Sequence, residues 1–226
     1  MAAPTFVSSS NAQNQTGSTF SVTAPASITN GNLLVAIQVT TLSAGPAPVA
    51  PSGWTQFATR QGFGTGFYDL VFWYKFASSE PGSYTFNNAG APAIGPTSSV
   101  YITNWSGAGT PNASFGQSVS SSTNAGPGGG STISDDSIVL IAWAIGSNAG
   151  TTFTPNGSLT ELGAIGGASN KVDVGYKTQA VAGAISNVNC TLSMSQDFGS
   201  IFVAIPPPPP PGDAFFSTPP LAIRCM

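Results

Sequence analysis

The chain has 226 residues, enough for one large or two small domains and for a core that buries roughly three quarters of the unfolded surface. Only 6% of the residues are charged, against about 25% in ordinary globular proteins, and 8 acidic and 5 basic residues leave a formal net charge of −3. This balance offers no basic patch to nucleic acid and no attraction to an anionic membrane, and 41% hydrophobic content is not the composition of a disordered chain.

Taken in order, the chain opens without the basic and apolar regions of a secretory signal, so synthesis and folding in a cytoplasm are expected. Short β-branched or aromatic runs bounded by Gly, Pro, Asn and Ser then predict strands at 20–23, 33–41, 55–61, 68–77, 83–87 and 99–104. Another is expected at 115–121, and a second series follows at 138–145, 159–164, 172–179, 187–193 and 200–205. Leu70, Phe72, Tyr74 and Phe76 alternate with Asp69, Val71, Trp73 and Lys75, so both faces of that strand are largely apolar and it should be central. No stretch approaches membrane-spanning length, and no period of 3.6 is sustained.

The two series say nearly the same thing. Gly31–Ile37 is echoed by Asp136–Ala142, and Pro51–Thr55 by Pro155–Leu159. Tyr74-Lys75 returns as Tyr176-Lys177, Gly82 as Gly183, and Ser99–Ile102 as Ser200–Val203. Landmarks in one order at a nearly constant offset imply a duplicated unit of about a hundred residues. The expected fold class is therefore all-β: a jelly-roll-like two-sheet sandwich over residues 1–205, built from two repeated Greek-key halves at about 20–110 and 130–205. A single body is preferred to two small sandwiches, because about four strands per half close a core poorly.

After Ile205 the character changes. Pro206 to Pro211 cannot donate to a ladder and predict a stiff extended spacer of roughly 19 Å, the start of an arm over 206–226. Its tip is apolar, with Phe215, Phe216, Leu221 and Ile223, and reads as a segment that docks on a neighbouring subunit or folds back along its own body. Cys190 and Cys225 could form a disulfide within or between chains, or stay as thiols with Cys190 buried.

Chemistry is harder to find. Histidine is absent, which removes the commonest general base and the commonest transition-metal ligand. No nucleophile elbow follows a strand, and eight scattered acids nominate no glycosidase pair, so neither an enzyme nor a cofactor is expected. Gly62–Phe67 resembles a phosphate loop, but no helix or Lys follows it, and a hairpin turn is expected. Asp135-Asp136 reads as a solvated turn, and Lys75 and Lys177, at equivalent repeat positions, as structural. Trp54, Trp73, Trp105 and Trp143 could stack sugars but fit core or edge packing better. The sequons at Asn14, Asn104, Asn112, Asn156 and Asn189 carry little weight without an export signal.

The runs Gly31–Ala36, Pro51–Thr55, Trp73–Lys75 and Glu80–Phe86 resemble a β-sandwich module of tailed-bacteriophage virions, found also in bacterial surface or prophage proteins. The resemblance covers roughly residues 5–205 and leaves the arm outside. It implies a non-enzymatic structural protein on a particle, such as a capsid decoration, head fibre or tail component, in contact with copies of itself and other virion proteins. It carries over no functional residue. From a different class comes a carbohydrate- or receptor-binding module that would use exposed aromatics on host-surface glycans.

Overall fold

Ser, Thr, Val and aromatic residues in short runs between Gly and Pro leave the backbone few options but pleated strands, and all regular structure among the described residues is β. The computed structural model describes residues 2–41, 48–63, 68–88, 97–126, 130–146, 150–156, 158–167, 170–186 and 188–209. The first half contains β1 (Thr5–Gln15), β2 (Thr19–Thr23), β3 (Leu33–Thr41), β4 (Thr55–Phe63), β5 (Tyr68–Phe76), β6 (Ser83–Asn87) and β7 (Ser98–Ser106). The second contains β8 (Ala113–Ala125), β9 (Ser131–Thr132), β10 (Ser137–Gly146), β11 (Phe153–Pro155), β12 (Thr160–Gly166), β13 (Asn170–Gln179), β14 (Gly183–Ala184) and β15 (Cys190–Ile205).

The duplication is visible in the strand order. The first large sheet runs β1-β7-β3-β5-β4, and the second runs β8-β15-β10-β13-β12, with β11 added against the start of β15. Each half also has a two-stranded sheet, β2-β6 in one and β9-β14 in the other. The second is shorter, with two residues per strand. All pairing is antiparallel.

The sequence reading began each half too late. β1 and β8 are integral edge strands, so the halves reach back to Thr5 and Ala113. β1, TFVSSSNAQNQ, has no apolar alternation and gave no strand signal. The ladders also shift two of the echoes by one residue. Leu33 pairs with Trp105 and Ile138 with Ile205, which sets Tyr101 level with Ile201 and not with Phe202. Thr55 and Thr160 face Tyr74 and Tyr176, so Trp54 corresponds to Leu159 and not to Ser158. With a side-chain period of two, such a slip exchanges the faces. Tyr101 lies in the core between the halves, and Phe202 on the opposite side of its sheet.

Four layers result. The two large sheets face each other through Leu33, Val35, Ile37, Leu70 and Phe72 from one and Leu140, Val172, Val174, Ile201 and Val203 from the other. Behind the first sheet, Trp54, Trp73, Val100 and Ile102 pack on Phe20, Tyr84 and Phe86 of β2-β6. Behind the second, Val139, Ile141, Trp143, Phe198 and Phe202 pack on Ile185, Val188 and Leu192. The shared middle layer makes the halves one body, since parting them would expose a whole apolar sheet face on each. As alternation predicted, β5 lies between β3 and β4 with apolar residues on both faces.

The halves meet with internal two-fold character. β4 crosses β8 and β15, and its counterpart β12 crosses β1 and β7. This reciprocal exchange is the pattern of an isologous contact between two subunits, here within one chain.

Candidate functional site

Ile205 ends β15, and the chain does not leave the body there. Pro206 and Pro207 are buried, and the Gly109 N–H donates to the Pro206 carbonyl at 2.7 Å. A Cβ on Gly109 would fall 2.7 Å from the Pro207 carbonyl oxygen, so the close approach requires glycine. Beside this contact lies an open cleft of about 600 Å³ lined by Thr110, Ser134, Asp135, Pro207 and Pro209. The first two prolines of the expected spacer are therefore docked on the body and do not stand off from it, and Pro208 and Pro209 are exposed. Pro211, Phe215, Phe216, Leu221, Ile223 and Cys225 lie outside the described residues.

Cys190, at the start of β15, has no disulfide partner among the described residues and is fully buried among apolar side chains. Burial and the nearby Asp173 carboxylate push its pKa up to about 12. All four tryptophans are buried. Trp73, Trp105 and Trp143 are 0% exposed and Trp54 is 7% exposed, which leaves no ring face for a sugar. Among the sequons, Asn104 is fully buried and its amide accepts from Asn32 at 2.8 Å, Asn112 donates to Ser134 at 3.2 Å, and Asn156 is exposed.

The paired lysines are structural. Lys75 Nζ sits 2.8 Å from Glu80 Oε2 and within 6.0 Å of the Trp54 and Tyr84 ring centres. Tyr84 donates to the same carboxylate at 2.7 Å and the Ser78 N–H to its other oxygen at 2.8 Å. Burial disfavours the charged carboxylate, but Lys75, Ser78 and Tyr84 outweigh it and hold the Glu80 pKa below its usual value. Lys177 donates to the Ser186 carbonyl, and burial lowers its pKa. Asp135 accepts from the Ala182 N–H at 2.7 Å, as Asn30 accepts from Ser79 at 3.0 Å in the other half, so its turn is a structural element. Phe63 pairs with Tyr68, the hairpin expected around Gly62–Phe67, although residues 64–67 lie outside the described residues. Among the described residues no three His, Cys, Asp or Glu side chains converge as metal ligands.

The two seams where the large sheets' edges meet are built from equivalent strands yet differ. On one side β12 meets β1. The Tyr101 hydroxyl donates to the Leu162 carbonyl at 2.7 Å and bonds Ser9 at 3.0 Å, and Gln13 Oε1 accepts from the Gly166 N–H at 3.2 Å. Phe6 fills the rest, packing edge-on to Trp105 at 5.4 Å and stacking on Tyr176 at 6.0 Å. On the other side β4 meets β8 around an open cleft of about 380 Å³, lined by Phe57, Ala58, Ser114, Phe115, Gly116 and Ile201. Phe57 and Leu162 are matching bulge residues. The ladders set Ile201 level with Tyr101, Gly116 with Asn11, and Phe115 with Ser10. The tyrosine hydroxyl that bridges one seam is missing from the other, and an exposed phenylalanine lines the opening. Sequence reasoning missed this cleft, because it exists only once the two halves are aligned strand by strand.

Scans against family models, curated proteins and solved structures each return no match to this chain.

Proposed function

We propose that this chain is a non-enzymatic structural protein of a tailed-bacteriophage particle, a capsid decoration, head fibre or tail component present in several copies. The observation that carries the reading is the anchored arm base. Pro206 and Pro207 are docked on Gly109, which fixes the root from which the proline-rich, apolar-tipped end of the sequence would extend. Such an arm suits capture of a neighbouring copy or another virion protein. A weakly charged, Ser- and Thr-rich surface suits close packing, because copies repel one another little. The jelly-roll reading with Greek-key halves belongs to the same proposal, and the return of β7 beside β3 and of β15 beside β10 supports it. The glycan-binding alternative loses its tryptophan platforms to the core and would have to use Phe76 or Phe115.

The test is truncation after Pro209, which keeps the docked prolines. The shortened chain should melt like the full chain but fail to enter particles, measured by mass spectrometry of purified particles. Normal incorporation would refute the role of the arm. Absence of the full chain from particles would refute the virion reading.

A further inference from the structure

We propose that the outer edge of β8 pairs with the same edge of a second copy of this chain, antiparallel across a two-fold axis, with Phe115 and the adjacent cleft covered in the dimer. The inference deepens the multi-copy reading above and rests on it only in requiring that copies meet.

Three observations converge on this edge. The first is the backbone. β8 pairs with β15 without a break from Ala113 to Val119, and among the described residues no strand pairs with its other side. That leaves a straight row of backbone donors and acceptors, the template for adding a strand.

The second is charge. In a two-fold antiparallel pair a residue beside the axis faces itself or a near neighbour of the same segment, so a charge placed there meets its like. The 13 residues of β8 contain no Asp, Glu, Lys, Arg or Pro. Its counterpart edges at the other sheet margins, β4 and β12, carry Arg60 and Glu161.

The third is the built-in comparison between halves. β1 is also uncharged, but its seam is closed by Tyr101, Gln13 and Phe6. On the β8 side Ile201 stands where the other half has Tyr101, and Phe115 is left 43% exposed over the opening. The same fold closes one seam from within and leaves the other to be closed from outside. A second copy fits, because an unpaired, uncharged edge can meet its own image without setting like charges against each other.

The experiment uses the full chain, light scattering after size exclusion, and native mass spectrometry. The wild type is expected at the mass of a dimer or a multiple of it. With the axis beside Phe115, Ser114→Lys and Ser114→Glu should each halve that mass, because each puts like charges across it. Mixed in equal amounts they should restore it, with one copy of each variant per pair. Asn11→Lys, on the equivalent β1 edge, should leave the mass unchanged. Circular dichroism checks folding, and Phe115→Ser carries the test if a charged variant unfolds. A monomeric wild type at its highest soluble concentration, an unchanged mass in Ser114→Lys, or a mixture that stays monomeric would each overturn the pairing. An unchanged mass would leave assembly through the arm standing, and presence in particles is decided separately by their mass spectrum.

Discussion

Replacing Asp173 with asparagine should change how stability depends on pH. Val172 and Val174 point into the core between the halves, so Asp173 faces the other way, opposite Trp143 on β10 and near Cys190. It is fully buried; Oδ1 accepts from the Val174 N–H at 2.9 Å, while Oδ2 has no hydrogen-bond partner. Burial, reinforced by the Glu161 carboxylate, raises its pKa to about 7, and Val174 and Lys171 offset this only in part. The unfolded chain releases this proton near 3.8, so between that pH and 7 the folded state holds a proton that the unfolded state has lost. Stability therefore falls as pH rises through the window, by up to about 1.4 kcal/mol per pH unit and about 4 kcal/mol in all. The amide of Asp173→Asn can still accept from Val174 but cannot ionise. Urea unfolding should find the two chains nearly equal at pH 3 and the variant more stable by up to about 4 kcal/mol at pH 8.5. Titrating groups that do not interact with Asp173 cancel in the difference. A difference that does not change with pH, or a variant less stable at pH 8.5, would refute the reasoning.

Further outcomes follow from the same geometry. A Cβ on Gly146 would lie 1.9 Å from the Tyr68 ring, so Gly146→Ala should cost about 1–3 kcal/mol, and much less in a Tyr68→Leu background, as measured by a double-mutant cycle of thermal melts. Cys190 should resist alkylation at pH 8 in the folded protein and react on unfolding, as peptide mapping would show, because burial and a raised pKa both suppress the thiolate. Glu80→Gln should cost about 2 kcal/mol at pH 7 by removing a carboxylate that serves Lys75, Ser78 and Tyr84. Because the folded pKa of Glu80 is held low, its contribution is present above the unfolded pKa and fades as pH drops through the folded one, so the deficit should shrink in acid denaturation curves.

Much of the architecture was legible in the sequence because strands buried on both faces announce themselves. LLVAIQVT, YDLVFWYKF and SIVLIAWAIG are continuous apolar runs too short for anything but strands, and all three lie inside their sheets. One edge was not legible: β1 is a Ser-, Asn- and Gln-rich sequence whose pairing depends on the neighbour already being in place. The strands expected at 55–61, 115–121 and 159–164, by contrast, lie in the edge strands β4, β8 and β12. The candidate sites divide the same way. The tryptophans and Asp135 could be read as structural from their positions, whereas the docking of Pro206 and Pro207 on Gly109, nearly a hundred residues away, has no local signature.

By itself the sequence determined an all-β chain and its repeated strand plan, because alternation and the spacing of the apolar runs are local properties. Tertiary structure alone decided the register of the repeats and which seam closes. Those outcomes rest on how side chains from distant strands fill a common space. A tyrosine at 101 and an isoleucine at 201 are interchangeable to a strand, but only one of them reaches across to the facing sheet.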